Sequence, residues 1–186
     1  MEAVRVFASV VILGEIGLKL NVCCGGRILP DWVNIDVVDT ASKTPDILAD
    51  ARNIPLPNRC AEEIMCIHGF EHFYRFEVDD LINEWKRLLM IGGTLVLELP
   101  NLIKCCENIL NDYKLAGKHP DQAGLWGLYG DPRSGNPYMN HRWGWTPQTL
   151  SEFLREHGFK KIDEQPTQWH PIGRHCRDMR ITARLM

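Results

Sequence analysis

Two clusters of residues have the types and spacing to do chemistry. In the first, Leu20-Asn21-Val22-Cys23-Cys24-Gly25-Gly26 is followed by Trp32-Val33-Asn34-Ile35-Asp36: an apolar strand runs into a glycine turn, and a second strand ends in a carboxylate. Glycine lets a ligand come close to the backbone, and an acid at the tip of the neighbouring strand can accept two hydrogen bonds from a ribose diol. The pairing points to a nucleoside-containing cofactor; the bland alternative is a glycine-rich turn between two core strands. In the second cluster, His68-Gly69-Phe70-Glu71-His72 fits the H-x-x-E-H pattern of zinc hydrolases residue for residue. On a helix, His68 and His72 would share one face, with Glu71 poised to activate a metal-bound water. His68, however, directly follows a strand pattern, Gly69 weakens any helix, and no third ligand can be named. No metal is therefore expected, and the bland reading has both histidines capping the end of a strand.

The glycine turn does not suit a dinucleotide. Such a site needs G-x-G-x-x-G opening a helix whose N-terminus faces a pyrophosphate. Gly25-Gly26-Arg27-Ile28-Leu29-Pro30 supplies no third glycine, and the interval before Trp32 is too short for a crossover helix. Parallel strands usually need about a dozen or more residues between them, so the link is cramped and nothing local accounts for its closure.

The elements that must position these residues alternate along the chain. Pro45 to Asp50 reads as a third strand, Ile54-Pro55-Leu56-Pro57 as a loop, and Glu63 to His68 as a fourth, continuously apolar strand, as expected where helices cover both sheet faces. Val78 to Leu89 places Leu81, Trp85, Leu88 and Leu89 on one helical stripe, with acids in the first turn and bases in the last. Gly92-Gly93 is expected to end that helix, and Thr94 to Asn101 forms a fifth strand stopped by proline. This cadence implies a mostly parallel sheet. Between Asn101 and Trp145 the pattern loosens: Lys118-His119-Pro120-Asp121 and Tyr129 to Tyr138 are rich in turn residues, with Trp126, Tyr129, Tyr138, Trp143 and Trp145 interleaved. Long irregular segments in a compact domain serve as lids or mobile loops, so a lid-like insertion is expected at about 102–145, with His141 near its end. The alternative is a surface loop packed by its own aromatics.

The glycine turn and its partner strand resemble the cofactor loop of class I S-adenosylmethionine-dependent methyltransferases. The likeness is greatest to the short-loop, methyltransferase type 11-like group, whose pattern is near Leu-Asn-x-Gly-Cys-Gly, a Pro-containing turn, then Trp/Tyr-x-Asn-x-Asp; Cys23 stands where that family has its first glycine. The resemblance continues through Asp50 ahead of the Ile54 to Pro57 loop, Glu71-His72 after the fourth strand, and the helix, Gly-Gly and Pro-Asn strand end of Leu88 to Asn101. Trp145-Thr146-Pro147 leading into Leu150, Phe153, Leu154 and Gly158-Phe159 completes it, so that it covers roughly Lys19 to Ile162, with Arg177 to Ala183 as a final strand.

The resemblance implies an α/β fold, a Rossmann-like doubly wound, mostly parallel sheet in one domain spanning 1–186, and methyl transfer from S-adenosylmethionine to a small-molecule acceptor such as a sugar or other metabolite. It implies a cofactor site of Asn21, Cys23, Cys24, Gly25, Asp36, Asp50, Ala51 and His68, with Asp36 on the ribose hydroxyls and Asp50-Ala51 on the adenine edge. His68, Glu71, His72 and His141 are its candidate catalytic residues. S-adenosylmethionine carries a sulfonium and an amino acid rather than a pyrophosphate, so it loses little without a helix terminus at the glycine turn. Two other classes stay open: a non-catalytic methyltransferase-like module that binds a nucleoside or a partner protein, which the cysteine at position 23 favours, and the H-x-x-E-H zinc hydrolase. Asn136-Pro137-Tyr138 resembles part of the Asn/Asp-Pro-Pro-aromatic motif of amino-directed DNA methyltransferases, but it lacks the second proline and follows the fifth strand, so it is not read as a nucleic-acid signal.

Composition agrees with one domain able to bury a sizeable core, at 186 residues and 45% hydrophobic content. A formal charge of −3 without a basic run argues against general adhesion to nucleic acid or anionic membrane. Seven cysteines, including the adjacent pairs Cys23-Cys24 and Cys105-Cys106, fit neither a disulfide framework nor C-x-x-C zinc spacing, and are read as reduced thiols in a cytoplasmic protein. Val4 to Leu13 lacks the flanks of a signal sequence and reads as a core element; no segment is long enough to span a bilayer.

Overall fold

Apolar runs at strand period and apolar stripes at helical period set the architecture of the computed structural model, which describes residues 17–39, 44–111, 123–131, 135–169 and 177–186. The expectations for Val4 to Leu13 and for Lys118 to Asp121 lie outside the described residues. A seven-stranded sheet is built from β1 (Leu18–Val22), β2 (Val33–Asp36), β3 (Ile47–Leu48), β4 (Ala61–Ile67), β5 (Leu89–Pro100), β6 (Phe159–Gln165) and β7 (Asp178–Leu185), in the order β3-β2-β1-β4-β5-β7-β6. The first five run parallel, and β7 is antiparallel to both β5 and β6. Chain order reverses between β1 and β4. In an open α/β sheet that switch point opens a crevice beyond the carboxyl ends of the strands, where ligands bind.

Side chains alternate across the sheet. Leu18, Leu20 and Val22 of β1, Ile64 and Cys66 of β4, and Leu95, Leu97 and Leu99 of β5 point into the larger core. The helix α1 (Val78–Leu88) buries Val78, Leu81, Ile82, Trp85 and Leu88 in that core, and α4 (Pro147–Glu156) buries Leu150, Phe153 and Leu154 there. Thr146 starts α4 with a reciprocal capping box to Thr149, which satisfies otherwise unpaired N–H groups of the first turn. The opposite face carries a smaller cluster of Met65, Ile67 and Val96 against Leu29, Trp32 and Trp169 from loops.

Several boundaries differ from the sequence reading. α1 ends at Leu88 and passes directly into β5, so Gly92-Gly93 does not terminate it. The β4–β5 ladder jumps from Ala61–Leu89 to Glu63–Thr94, and the glycine pair lies in that irregularity, with Gly92 at φ +82. The third strand shrinks to Ile47–Leu48 because Asp46 turns its carboxylate to Asn34 instead of continuing the ladder. The stretch read as loosely patterned holds α2 (Leu102–Leu110), capped by the Asn101 side chain on the N–H groups of Ile103 and Lys104, and α3 (Ala123–Tyr129). Among the described residues no helix is long and apolar enough to cross a membrane.

Candidate active site

The turn after β1 is closed by side chains where a crossover helix is missing. Asn21, buried in β1, donates from Nδ2 to the Arg27 carbonyl and to Asn34 Oδ1, both at 2.9 Å. Asn34 Oδ1 also accepts the Leu29 N–H at 2.8 Å, and its Nδ2 faces the carbonyls of Leu29 and Trp32 and the Asp46 carboxylate. Two buried amides thus satisfy the backbone of the short link, which the local sequence alone did not explain. Asn21 accordingly lies behind the turn and does not line the cavity described next. Cys24 is also behind it: burial first, and the Asp36 carboxylate second, push its thiol up to about 12, so it stays protonated.

Ahead of the turn is a cavity of about 330 Å³, at the small end of ligand-binding sizes. One wall holds Cys23, Gly25 and Asp36, and another holds Asp50, Ala51 and Arg52. Gly25 sits at φ +52 and Cys23 at φ +56, so Cys23 follows the left-handed path that a glycine takes most easily. Asp36 accepts the Gly25 N–H on Oδ2 at 2.8 Å and the Val38 N–H on Oδ1 at 2.9 Å. A carboxylate has about four lone-pair sites, so each oxygen of Asp36 keeps acceptor capacity toward the cavity. That donor-free, acceptor-rich chemistry fits a ribose diol.

Asp50 is more committed. Arg52 forks onto it through Nε at 3.0 Å and an η nitrogen at 2.7 Å, and these bonds hold the carboxyl below its ordinary range. Arg52 reaches on to Glu77 at 2.8 Å. The Ala51 carbonyl accepts the indole N–H of fully buried Trp85 at 3.0 Å, so α1 fixes the backbone at this wall.

His68 closes β4 at φ +52, with Nδ1 at 3.2 Å from Glu71 Oε1 and Nε2 at 3.5 Å from Asp178 Oδ2. Burial opposes its charge, but the Asp178 and Glu71 carboxylates outweigh burial and raise the imidazole to about 9. Burial likewise opposes ionisation of Glu71, and the hydrogen bond and charge of His68 overcome it and bring the carboxyl down to about 2. At neutral pH His68 is a cation between two anions, with no lone pair for a metal or for a substrate proton. The H-x-x-E-H segment is not helical across its length either, since only Phe70–His72 forms a 3-10 turn. The arrangement of a zinc hydrolase, in which His68 and His72 share a helix face, is therefore not made.

The structure brings together Cys23, Gly25, Asp36, Asp50, Ala51, His68 and His72 around the cavity, while Asn21, Cys24, Glu71 and His141 stand behind its lining. His141 is partly buried; its Nδ1 is 2.8 Å from the Gly127 carbonyl and its Nε2 is 3.7 Å from Glu71. Burial holds this imidazole below its ordinary value, so it is neutral. Asn136, Tyr138, Met139 and Arg142 cover the cavity from the far side, and Arg142 is tethered there by its N–H on the Glu71 carbonyl at 2.8 Å. Sequence reasoning missed Arg52, Phe73 and Glu77 as lining residues. Their proximity to Asp50 and His72 in the chain was the available signal.

Residues 28–97 match a family model described as a methyltransferase domain. No curated protein matches the sequence significantly. Among solved structures, a SAM-dependent methyltransferase from Archaeoglobus fulgidus is similar at 14% identity and a TM-score of 0.59, over 98% of this chain and 92% of that one. The 1,6-didemethyltoxoflavin-N1-methyltransferase of Burkholderia thailandensis, with S-adenosylhomocysteine bound, is similar at 15% identity and a TM-score of 0.59, over 98% of this chain and 78% of that one. Human N-acetylserotonin methyltransferase in complex with SAM aligns at 14% identity and a TM-score of 0.54, over 99% of this chain and 51% of that one. At such identities the structural likeness establishes the fold, which this chain shares with SAM-dependent methyltransferases, and the methyltransferase-domain match covers residues 28–97 within it.

Proposed function

We propose that this protein transfers the methyl group of S-adenosylmethionine to a small-molecule acceptor in the cytoplasm, with neither nucleic acid nor membrane as partner. The observation that carries the reading is Asp36. Its carboxylate, anchored by two backbone N–H groups, presents its remaining lone pairs to a cavity at the switch point of the sheet. Asp36 holds the ribose hydroxyls, Gly25 allows close approach of the backbone, and the Asp50-Ala51 wall receives the base. When bound, S-adenosylmethionine supplies a methyl group already activated on a sulfonium. The protein's task is then orientation and exclusion of water.

Four side chains proposed for the chemistry divide by position. His72 faces the cavity and contacts the acceptor. His68, Glu71 and His141 are positioning residues: both histidines flank the Glu71 carboxylate, the Glu71 carbonyl holds the Arg142 N–H, and the His141 ring packs edge-on against His72. Tyr138, Met139 and Arg142 serve as the lid over the acceptor. Free Cys23, Cys24, Cys60, Cys66, Cys105 and Cys106 accord with a reducing compartment. A non-catalytic module is less well supported, because Cys23 keeps the left-handed backbone of a glycine and leaves the turn's path intact.

Calorimetry with S-adenosylmethionine and S-adenosylhomocysteine tests the reading. Saturable binding of both is expected, followed by label transfer from methyl-labelled cofactor to one class in a panel of hydroxyl, amine and heteroaromatic metabolites. No heat and no thermal shift at millimolar ligand would overturn it.

A further inference from the structure

One ligand atom each from Glu71, His72 and His141 lies within 4.8 Å of the others, beside the cavity and outside the cofactor wall. Two independent features of this cluster suit a cation. Glu71 is only 2% exposed, and its Oε2 has no hydrogen-bond partner among the described residues. A buried carboxylate oxygen left unsatisfied is costly. The histidines are the second feature. Nδ1 of His72 lies 3.1 Å from the Asn140 carbonyl, and Nδ1 of His141 lies 2.8 Å from the Gly127 carbonyl. A carbonyl only accepts, so each Nδ1 carries the proton, and a neutral imidazole then has its lone pair on Nε2. Backbone carbonyls fix ligating histidines in this way in metal sites. In His141 that lone pair faces Glu71 Oε1 at 3.7 Å, an acceptor turned toward an acceptor with no hydrogen between them.

We propose that Glu71, His72 and His141 bind a divalent transition-metal ion, of which zinc is the natural probe. Two imidazoles and one carboxylate suit zinc and its neighbours in the first transition row, whereas magnesium and calcium prefer all-oxygen shells. Metal–ligand distances near 2.0–2.1 Å require tetrahedral donors about 3.3 Å apart, so donors now up to 4.8 Å apart close by up to about 1.5 Å on binding. The set differs from the H-x-x-E-H pattern. Glu71 is a ligand rather than a base, His68 stays on Glu71 Oε1 as a hydrogen-bonded support, and the third ligand arrives from the far end of the chain. The consequence is a clasp. Glu71 and His72 belong to the connection after β4, while His141 belongs to the segment carrying Tyr138, Met139 and Arg142, so the cation ties the roof of the cavity to its side wall.

The site does not depend on the methyl-transfer reading, and it is tested without turnover. Full-length protein is freed of metal with a chelator and titrated with zinc by calorimetry, with thermal melting and the visible spectrum of the cobalt(II) complex in parallel. The expected result is one ion per chain, a raised Tm, a tetrahedral cobalt spectrum, and at least a hundredfold weaker affinity in His72→Ala and in His141→Ala. Both histidines are partly exposed, so these variants should fold; far-UV circular dichroism confirms it, and His141→Cys, which restores a ligand, should recover zinc binding. Absence of stoichiometric binding by the wild-type protein, or a one-to-one zinc complex that survives both alanine substitutions, would overturn the proposal. Loss of S-adenosylmethionine binding alone would bear only on the methyl-transfer reading.

Discussion

The Asp36 carboxylate accepts the Gly25 backbone N–H at 2.8 Å, joining the end of β2 to the turn after β1 across the parallel strand pair. One side chain thus shapes the turn and lines the cavity. Charge-assisted hydrogen bonds contribute about 1.5–3 kcal/mol, and about 1.4 kcal/mol is tenfold in affinity, so Asp36→Ala should weaken S-adenosylhomocysteine binding by roughly 10- to 100-fold. Because Gly25 and Val38 lose their acceptor, Tm should fall as well. Calorimetry and thermal melting separate the two effects. Unchanged affinity would place the ribose elsewhere.

Glu84 makes a pH-dependent contribution through the loop that supports the Asp50-Ala51 wall. It accepts the Ile54 N–H at 2.8 Å and pairs with Arg87, whose guanidinium also donates to the Ile54 and Leu56 carbonyls. Burial works against the charge of Glu84, but the Arg87 bonds prevail and hold the carboxyl below its ordinary value of 4.5. A depressed folded value means that the stabilisation is present above about pH 4.5 and is lost as pH falls through the folded value. Glu84→Gln should therefore cost about 1–3 kcal/mol at pH 7 and progressively less in acid. Urea titrations across that range check it; a difference independent of pH would mean the ion pair contributes little.

Much of this was legible in the sequence because it is local. The apolar run ending at Val22, the glycine turn and the acid closing Val33–Asp36 are neighbours in the chain, and period and turn chemistry locate them. Partners supplied by tertiary contact were not legible. Nothing near Asn21 announces that Asn34 and Asp46 will complete its network, and nothing near Glu71 points to His141. Gly92-Gly93 misled for a physical reason: a glycine pair after an amphipathic stretch is an ordinary helix stop, yet here the chain enters a strand at Leu89 and uses the pair to pass an irregular ladder step. The α2 helix was hidden because its flanks are turn-rich and only Cys105 within it is fully buried.

Gly69 is required by the cysteines packed against it, Cys23 and Cys66. A Cβ at position 69 would meet Cys23 Cβ at 2.5 Å and Cys66 Sγ at 2.7 Å. Gly69→Ala should therefore destabilise the protein by about 1–3 kcal/mol through overpacking. Cys23→Gly, which removes one of the two clashing groups and relaxes a left-handed non-glycine residue, should recover part of that loss in the double variant. Denaturant unfolding of the four proteins of this cycle gives the coupling directly. Additive losses would mean that the two positions relax independently.

The cover of the cavity should show two levels of protection. Pro137–Met139 is a single 3-10 turn held by the Asn136 side chain on the Tyr138 N–H at 2.9 Å, and Tyr138 and Met139 are largely exposed. Three residues on, the Arg142 and Trp143 N–H groups both donate to the Glu71 carbonyl, which belongs to a buried turn packed under the sheet. Local opening needs little energy where few contacts break and more where a buried acceptor is lost. Hydrogen exchange on the free protein should accordingly be fast at Tyr138 and Met139 and slower at Arg142. Because Tyr138, Met139 and Arg142 all line the cavity, S-adenosylhomocysteine together with an acceptor should slow the first two most, having little left to gain at the third. Exchange that is already slow at Tyr138 without ligand, and unchanged by it, would mean the segment is a rigid wall rather than a cover that closes.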